Sequence, residues 1–594
     1  MKGFYHQILK LDLTCHGQQI EPISDDILER FLGGKGLATH LLMENNPTGV
    51  DPMSPENHLV LATGPVSGTP VWGSCRYGVY TKSPQTGLYS ESYSGGTIGD
   101  YLSKTGFDAV VLHGASKDPC WIEVSDHGTF FHDAEDLWGL DTFETEDRIK
   151  TWIRKNRPDA PKCGVVCIGP AGENGVRFSV IENDYWRSAG RTGVGAVIGS
   201  KKIKGIAFWG GQRKEAADPE WVKKYAKDLS RQAKEDPGVL AYKSKGTPMM
   251  VDTMSRVGSF PTRYWHKGEA AHRERINADA LHQRLHVTPN ACLKCFIACG
   301  RLSVVKEGRH QGLKIEGPEY ETIYAFGGLC EVDTIEEIAY LNDICDRLGM
   351  DTISAGNLTA FAIEAARQGR IDYDIDYNEP DKIARLLKDM AYRRGIGDVL
   401  SQGIKAAARE WNMEDQAIHV KGMEPPGYDP RVLKGMGLAY GSSPRGACHL
   451  RATFYKPELS GIIDPDGIEG KAALFAEWED RLIIMDTLIV CRFYRDLYPW
   501  KELSNLIRAV TGLDLNVEKM RRIARDISSA TRRFNIREGL TPEGDRLPRR
   551  FHTEVLPETH KVITEEEMDR LLRDYYRARG WNEDGIPPET KDRP

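Results

Sequence analysis

The sequence predicts an α+β chain in which a β-rich first third precedes a mainly helical remainder. Three observations carry this prediction. From Tyr5 to about Gly211, apolar residues recur mostly with period two, in short runs that end at Gly or Pro turns. After Gly211 the apolar spacing lengthens to that of amphipathic helices. The chain has 594 residues, and at about 150 residues per domain three or four units are expected.

Taken in order, Ile8-Leu9-Lys10-Leu11-Asp12-Leu13 alternates like a half-buried strand. Residues 59–62, 109–112, 121–124 and 164–167 read as further short strands, with turns at Thr63-Gly64-Pro65, Ser83-Pro84-Gln85 and Gly169-Pro170-Ala171-Gly172. Two glycine-rich segments carry arginine: Gly73-Ser74-Cys75-Arg76-Tyr77-Gly78, which returns at Ser94-Gly95-Gly96, and residues 186–202 with Arg187 and Arg191. Closely spaced glycines let backbone N–H groups face an anion, and Arg adds bidentate phosphate contacts. Each segment therefore reads either as a phosphate cradle or as tight turns of a β domain. Neither matches a Walker A or Rossmann fingerprint.

The first helix of the helical part runs from Pro219 to about Glu235. Asp333-Thr334-Ile335-Glu336 opens a second helix with a capping-box-like pattern. Its apolar stripe includes Ile335, Ile338, Leu341, Ile344 and Leu348, and Gly349 stops it. Asp346 falls in the last turn, where it opposes the helix dipole by ~0.3–1 kcal/mol, which suggests a tertiary task such as binding a ligand. Residues 482–491 echo this arrangement: Asp486 ends an apolar helix and Cys491 follows five positions on, as Asp351 follows Asp346. Two similar loops can grip two similar halves of one ligand, or the echo is coincidence. Residues 565–579 read as an amphipathic closing helix.

The net charge of −7, without a block of Lys or Arg, argues against nucleic acid as a partner. No apolar run is long enough to span a membrane. Twelve cysteines without an apolar signal core suggest a reducing cytoplasm, with thiols free for metals.

Cys292, Cys295 and Cys299 form a metal-ligand spacing in the run Cys292-Leu293-Lys294-Cys295-Phe296-Ile297-Ala298-Cys299. A [4Fe–4S] cube requires a fourth thiolate from elsewhere. Zinc would want a second close Cys or His pair, and none follows. Spare core cysteines are the third reading. Downstream, Glu316, Glu319 and Glu321 crowd one short stretch, fit either for acid–base work or for a solvated helix start. His449, after Ser443-Pro444-Arg445-Gly446-Ala447-Cys448, is either a proton carrier or an ordinary hydrogen-bonding histidine.

As a set these motifs are more specific than singly. With Gly64-Pro65, residues 73–77, Thr81-Lys82-Ser83-Pro84, Arg187 with Ala189-Gly190-Arg191, Gly193-Val194-Gly195-Ala196, the C-x2-C-x3-C run, residues 316–321, 346–351 and 445–449 in this order, the chain resembles the tungsten-containing aldehyde ferredoxin oxidoreductase family, end to end. The resemblance implies a β-rich N-terminal base for a pterin cofactor over residues 1–212. Two mainly α-helical domains, 213–416 and 417–594, would cover it. The cofactor would be tungsten or molybdenum held by two pyranopterins, with a [4Fe–4S] cluster close by. Cys491 aligns with the fourth cluster ligand. Arg76 matches the residue between cluster and pterin, and Arg187 a pterin-site arginine. Gly95 and Arg492 are further cofactor-binding residues the resemblance implies. Asp346, Met350 and Asp351 match one pterin loop. Asp486, Val490 and Cys491 match the other, where Ile489 replaces the usual glycine, so the backbone there is expected to sit differently. Backbone carbonyls at Tyr93 and Ser188 would hold Mg²⁺ between the pterin phosphates.

Glu321 and His449 match the family's active-site acid and histidine. The expected reaction is oxidation of an aldehyde to a carboxylic acid. Glu321 would act as base and His449 would bind the carbonyl oxygen, with electrons leaving for ferredoxin or an iron–sulfur partner subunit. The alternatives are reduction of aromatic acyl-CoA thioesters, or an electron-relay subunit with a cluster but no pterin. A homodimer or hetero-complex remains open. Tyr340-Leu341-Asn342-Asp343 stands where dimeric relatives carry an iron-binding E-x-x-H pattern, so no such iron is expected.

Overall fold

The computed structural model describes residues 1–158, 160 and 162–589, so the end of the last expected domain, 590–594, lies outside the described residues. The alternating and β-branched runs of the first third pair into two six-stranded sheets. The first holds β1 (Gln7–Asp12), β2 (Gly17–Pro22), β3 (Leu59–Ala62), β4 (Tyr77–Lys82), β5 (Tyr89–Ser94) and β6 (Ala109–His113), in the order β2-β1-β6-β3-β4-β5. The second holds β7 (Cys120–Ser125), β8 (Gly128–Asp133), β9 (Gly164–Cys167), β10 (Ile181–Asn183), β11 (Arg187–Ala189) and β12 (Ile203–Phe208), in the order β11-β10-β9-β12-β7-β8. Leu11, Val79 and Leu112 of one sheet share an apolar core with Ile122, Val166 and Ile206 of the other. Two antiparallel registers then decide where the site lies. Tyr77 pairs with Ser94, so Arg76 and Gly95 leave the β4–β5 hairpin at the same end. Asn183 pairs with Arg187 and Glu182 with Ser188, which turns the Arg187 segment toward that end.

Helices dominate from Pro219 onward. The largest core draws on both sides of residue 416, joining Phe326, Leu341 and Phe361 to Tyr440, Phe454 and Tyr575. Among the described residues no helix is long and apolar enough to cross a membrane. The closing helix spans Glu565–Arg579, with Thr564 and Glu567 forming a reciprocal capping box.

β13 (Leu285–Asn290), β14 (Gly300–Val305) and β15 (Lys314–Glu316) form a third sheet. Pro289 is tolerated because β13 is an edge strand. The cysteine run is the β13–β14 connection, anchored at both ends by the pairing of Asn290 with Gly300. The capping box expected at Asp333 does not form, and the cap residue is Thr334, without a side-chain cap bond. Ion pairs take both side chains instead: Asp333 meets Arg275 at 2.6 Å, and Glu336 binds Arg284.

Gly64 allows the β domain to approach the helix Lys471–Leu488. A methyl group there would come within 2.0 Å of the Leu488 carbonyl oxygen. Gly64→Ala is therefore expected to cost at least about 1–3 kcal/mol through overpacking. Scanning calorimetry should show a lowered midpoint; an unchanged midpoint would contradict this contact.

Candidate active site

Two adjoining cavities open where the strand ends meet the helices. The larger, about 350 Å³, is lined by Arg76, Tyr93, Ser188, Glu321, Asp346, Met350, Asp351, His449, Asp486, Val490, Cys491 and Arg492. The smaller, about 200 Å³, is lined by Gly95, Arg187, Cys292, Cys295, Cys299 and Cys491, and shares Arg76, Tyr93 and Ser188 with the first. Every residue given a cofactor, cluster or acid–base role from the sequence thus lines one cavity or the other.

The two echoed loops share one backbone geometry. The helix Ile335–Leu348 ends at Gly349 in the left-handed region (φ 77°, ψ 51°), and Lys471–Leu488 ends at Ile489 in the same region (φ 57°, ψ 41°). In each, the N–H of the left-handed residue returns to carbonyls three and four residues back, those of Asp346 and Cys345 or Asp486 and Met485. The expectation that Ile489 would shift the backbone is corrected. A β-branched residue pays steric energy at positive φ, roughly 1–2 kcal/mol. Ile489 is buried in compensation. Each loop also pairs one aspartate with arginine, though not at the matched position. Asp351 caps the helix Thr352–Arg367 and accepts from Arg191 Nε at 3.0 Å. Asp486 accepts from Arg451 Nη1 at 2.8 Å and from Arg492 Nε at 3.2 Å.

The thiols ring the smaller cavity rather than converge on a point. Among the described residues, no three His, Cys, Asp or Glu side chains are placed to hold a single metal ion. Zinc demands ligands about 2.3 Å from one centre, whereas a cube spreads its thiolates over its corners. The arrangement therefore suits a cluster. Arg76 Nη1 lies 3.8 Å from Cys491 Sγ, and Tyr494 Oη lies 3.5 Å from Cys295 Sγ. A hydrogen bond from Cys75, with Arg187 and Arg76 nearby, pushes the Cys292 thiol well down despite its burial. A Cβ at Gly95 would come within 2.8 Å of Cys292 Sγ, so any larger residue there would have to displace that thiol.

Glu321 and His449 meet at the wall of the larger cavity, with His449 Nε2 3.6 Å from Glu321 Oε1. Glu321 Oε2 accepts from the Gly427 N–H at 3.0 Å. Glu321 Oε1 and His449 Nδ1 are buried and, among the described residues, lack a hydrogen-bond partner. Burial pushes the Glu321 carboxyl up to about 8. Burial, then Arg191, Arg445 and Arg451, pushes the His449 imidazole far down. At pH 7 the pair is a neutral acid facing a neutral imidazole.

Several residues of this site escaped the sequence. Glu91, on β5, is fully buried and accepts from Lys35 Nζ at 2.9 Å and Arg451 Nη1 at 2.6 Å. Burial alone would raise its pKa, but Arg451, Lys35 and Arg445 outweigh burial and hold it well below the carboxylate range. Nothing in the run Tyr89-Ser90-Glu91-Ser92-Tyr93 marks it. Arg451 had a faint signal, two residues after His449. Cys75, a fifth thiol on the cluster cavity, had one beside Arg76.

The model for the N-terminal domain of aldehyde ferredoxin oxidoreductase matches residues 8–210, and the model for its domains 2 and 3 matches residues 224–593. The chain belongs to the aldehyde ferredoxin oxidoreductase family. It is accordingly an oxidoreductase. The tungsten-containing aldehyde ferredoxin oxidoreductase of Thermococcus kodakarensis is 33% identical over 100% of this chain and 98% of its own length. The Pyrococcus furiosus enzyme of the same name is 32% identical with the same coverage. A further Pyrococcus furiosus protein, an aliphatic sulfonate oxidoreductase, WOR-like subunit, is 26% identical over 99% of this chain and 96% of its own. The fold is shared with the active-site complex BamBC of benzoyl-coenzyme A reductase (TM-score 0.84, 23% identity, 99% of this chain and 96% of that one).

Arg451→Met would leave Glu91 and Asp486 short of a buried partner. Removing one member of such a network costs about 3–5 kcal/mol. The expected result is a marked fall in thermal midpoint in this aldehyde ferredoxin oxidoreductase family member; stability like the parent's would contradict the role given to Arg451.

Proposed function

We propose that this chain oxidises an aldehyde to a carboxylic acid and passes the electrons to ferredoxin or to an iron–sulfur partner subunit. The observation that carries the reading is the Glu321–His449 pair, whose Glu321 Oε1 and His449 Nδ1 lack a hydrogen-bond partner among the described residues, set in the wall of a cavity that adjoins a ring of cysteines.

The residues present fit the cofactors the family implies. Cys292, Cys295, Cys299 and Cys491 would hold a [4Fe–4S] cluster. The 346–351 loop would hold one pyranopterin, through Asp346, Met350 and Asp351. Asp486, Val490 and Arg492 would hold the other, with Arg76 and Arg187 facing the shared wall. The Tyr93 and Ser188 carbonyls would serve Mg²⁺, a hard cation suited to oxygen ligands; in this structure the Tyr93 carbonyl accepts from Arg76 Nη2 at 2.9 Å. In this reading residues 1–212 form the cofactor base, and 213–416 and 417–594 cover it. When bound, a tungsten or molybdenum centre supplies two-electron redox chemistry, and the cluster supplies one-electron transfer.

The chain's own work is positional and acid–base. His449, kept neutral by burial and four arginines, donates its N–H to the aldehyde carbonyl oxygen and polarises the carbonyl carbon. Glu321 in its carboxylate form takes a proton from the attacking water. Gly427 holds the second oxygen of that carboxylate in place. Overall, one aldehyde and one water give one acid, two protons and two electrons.

The base form of Glu321 grows as pH rises through about 8. The kcat/KM for aldehyde should therefore climb with pH and level above that value. Glu321→Gln should abolish turnover with a viologen dye while iron and tungsten contents stay as in the parent. Full activity in that variant, or reduction of an aromatic thioester without aldehyde oxidation, would overturn the reading.

A further inference from the structure

A short segment leads outward from His449. The His449 carbonyl accepts from the Thr453 N–H at 2.8 Å, and the Thr453 carbonyl accepts from the Lys456 N–H at 3.2 Å. Thr453 Oγ1 accepts from Trp478 Nε1 at 3.4 Å, and the Arg481 guanidinium lies over the Trp478 ring, 4.6 Å from its centre. Arg495 joins them from the cofactor side, where its Nη1 donates to the Arg492 carbonyl at 3.0 Å. The three cations lie close enough to repel one another. Burial, then Arg495, pushes the Arg481 guanidinium down, and burial, then Arg495 and Arg481, pushes the Lys456 ammonium down.

This cluster lacks its counter-charge. Among the described residues, Arg481 and Arg495 form no salt bridge, and Arg481 Nε, Arg481 Nη2 and Arg495 Nε are buried without a hydrogen-bond partner. Arg495 is 2% exposed, and the groups that favour its charge are phenols, Tyr455 first, then Tyr242 and Tyr428. The nearby acids are engaged elsewhere: Glu477 with Arg521, Asp236 as the cap of the helix Pro237–Lys245, and Asp496 with Lys456 at the surface. A buried guanidinium with open N–H groups is costly until an anion answers it, and its fork fits a carboxylate or a phosphate. The way back to the reacting centre is aromatic. The Tyr428 ring stacks 5.5 Å from that of His449 and 4.4 Å from that of Tyr455, the residue before Lys456. Two aromatic side chains thus separate His449 from the cations, the span of a short carbon chain.

We propose that Arg481, Arg495 and Lys456 form an oxoanion subsite, which holds the carboxylate or phosphate at the far end of an aldehyde substrate while its carbonyl faces His449 and Glu321. The substrate class rests on the aldehyde reading above, whereas the subsite rests on the open guanidinium groups alone. Its ligand is held by charge-assisted hydrogen bonds, and no covalent bond is made or broken there.

The test joins binding to kinetics in the holoenzyme. In isothermal titration calorimetry with adipate or inorganic phosphate, the parent should bind both anions, and Arg481→Met should weaken each about tenfold. Lys456→Met, altered at the half-exposed rim, should weaken them in the same sense. With a viologen dye as acceptor, the KM for adipate semialdehyde should rise about tenfold in Arg481→Met while kcat holds, the pattern of lost uniform binding. Hexanal, of the same length without the anion, should keep the parent's kinetics. No anion binding in the parent, or equal binding in parent and both variants, would overturn the subsite. Equal losses with hexanal and the semialdehyde would overturn it too, as the sign of a structural role. Weakened anion binding with an unchanged KM for the semialdehyde would overturn the substrate tail and leave a site for a free anion. Anion binding intact with no aldehyde turned over would overturn the aldehyde reading and leave the subsite standing.

Discussion

Arg451 joins Glu91 of strand β5 to Asp486 at the end of a helix almost four hundred positions later, and no solvent reaches the junction. A charge stripped of water is expensive unless it is fully paired. The β domain and the C-terminal helices therefore meet in one way only, with Glu91 answered by Arg451 and Lys35, and Asp486 by Arg451 and Arg492. That fixed meeting brings Cys491, five residues beyond Asp486, to the thiols of the β13–β14 connection. The sequence-distant halves of both cavities depend on it.

The same cations set the electrostatic character of the site. Burial, then Arg191, Arg445, Arg451 and Arg492, keeps His449 neutral, while burial keeps Glu321 protonated near neutrality. A carboxyl whose pKa lies close to working pH suits a base that must release its proton again within one turnover. At Cys292 a hydrogen bond from Cys75, with Arg187 and Arg76 nearby, favours the thiolate, whereas burial pushes the Cys295 and Cys299 thiols up. An acidic protein thus keeps a group of buried arginines around His449.

Much of this was legible in the sequence, because the informative signals are local. The C-x2-C-x3-C spacing, the Gly and Arg segments and the repeated Asp-to-Asp and Asp-to-Cys intervals each lie within a few residues. Their order along the chain added the family. What stayed hidden is long-range. Glu91 looks like any solvent-facing position of an alternating strand, and only the fold shows that both faces of β5 are covered. β13 holds Pro289, which speaks against a strand, and β15 has only three residues. The Asp333 cap failed because Arg275 competes for the carboxylate, a partner no local pattern reveals. At Ile489 the sequence suggested a different backbone, and the helix-ending hydrogen bonds to Asp486 and Met485 outweighed the side chain's preference.

The central claim is that the two cavities hold a cluster and a pterin-bound metal side by side. It is tested most directly by elemental analysis of protein purified without oxygen from cells given both tungstate and molybdate. The account predicts about four iron atoms and about one tungsten or molybdenum per chain. Iron without either heavy metal would leave an electron-relay protein in place of an aldehyde oxidoreductase, and zinc in place of iron would contradict the reading of the thiols.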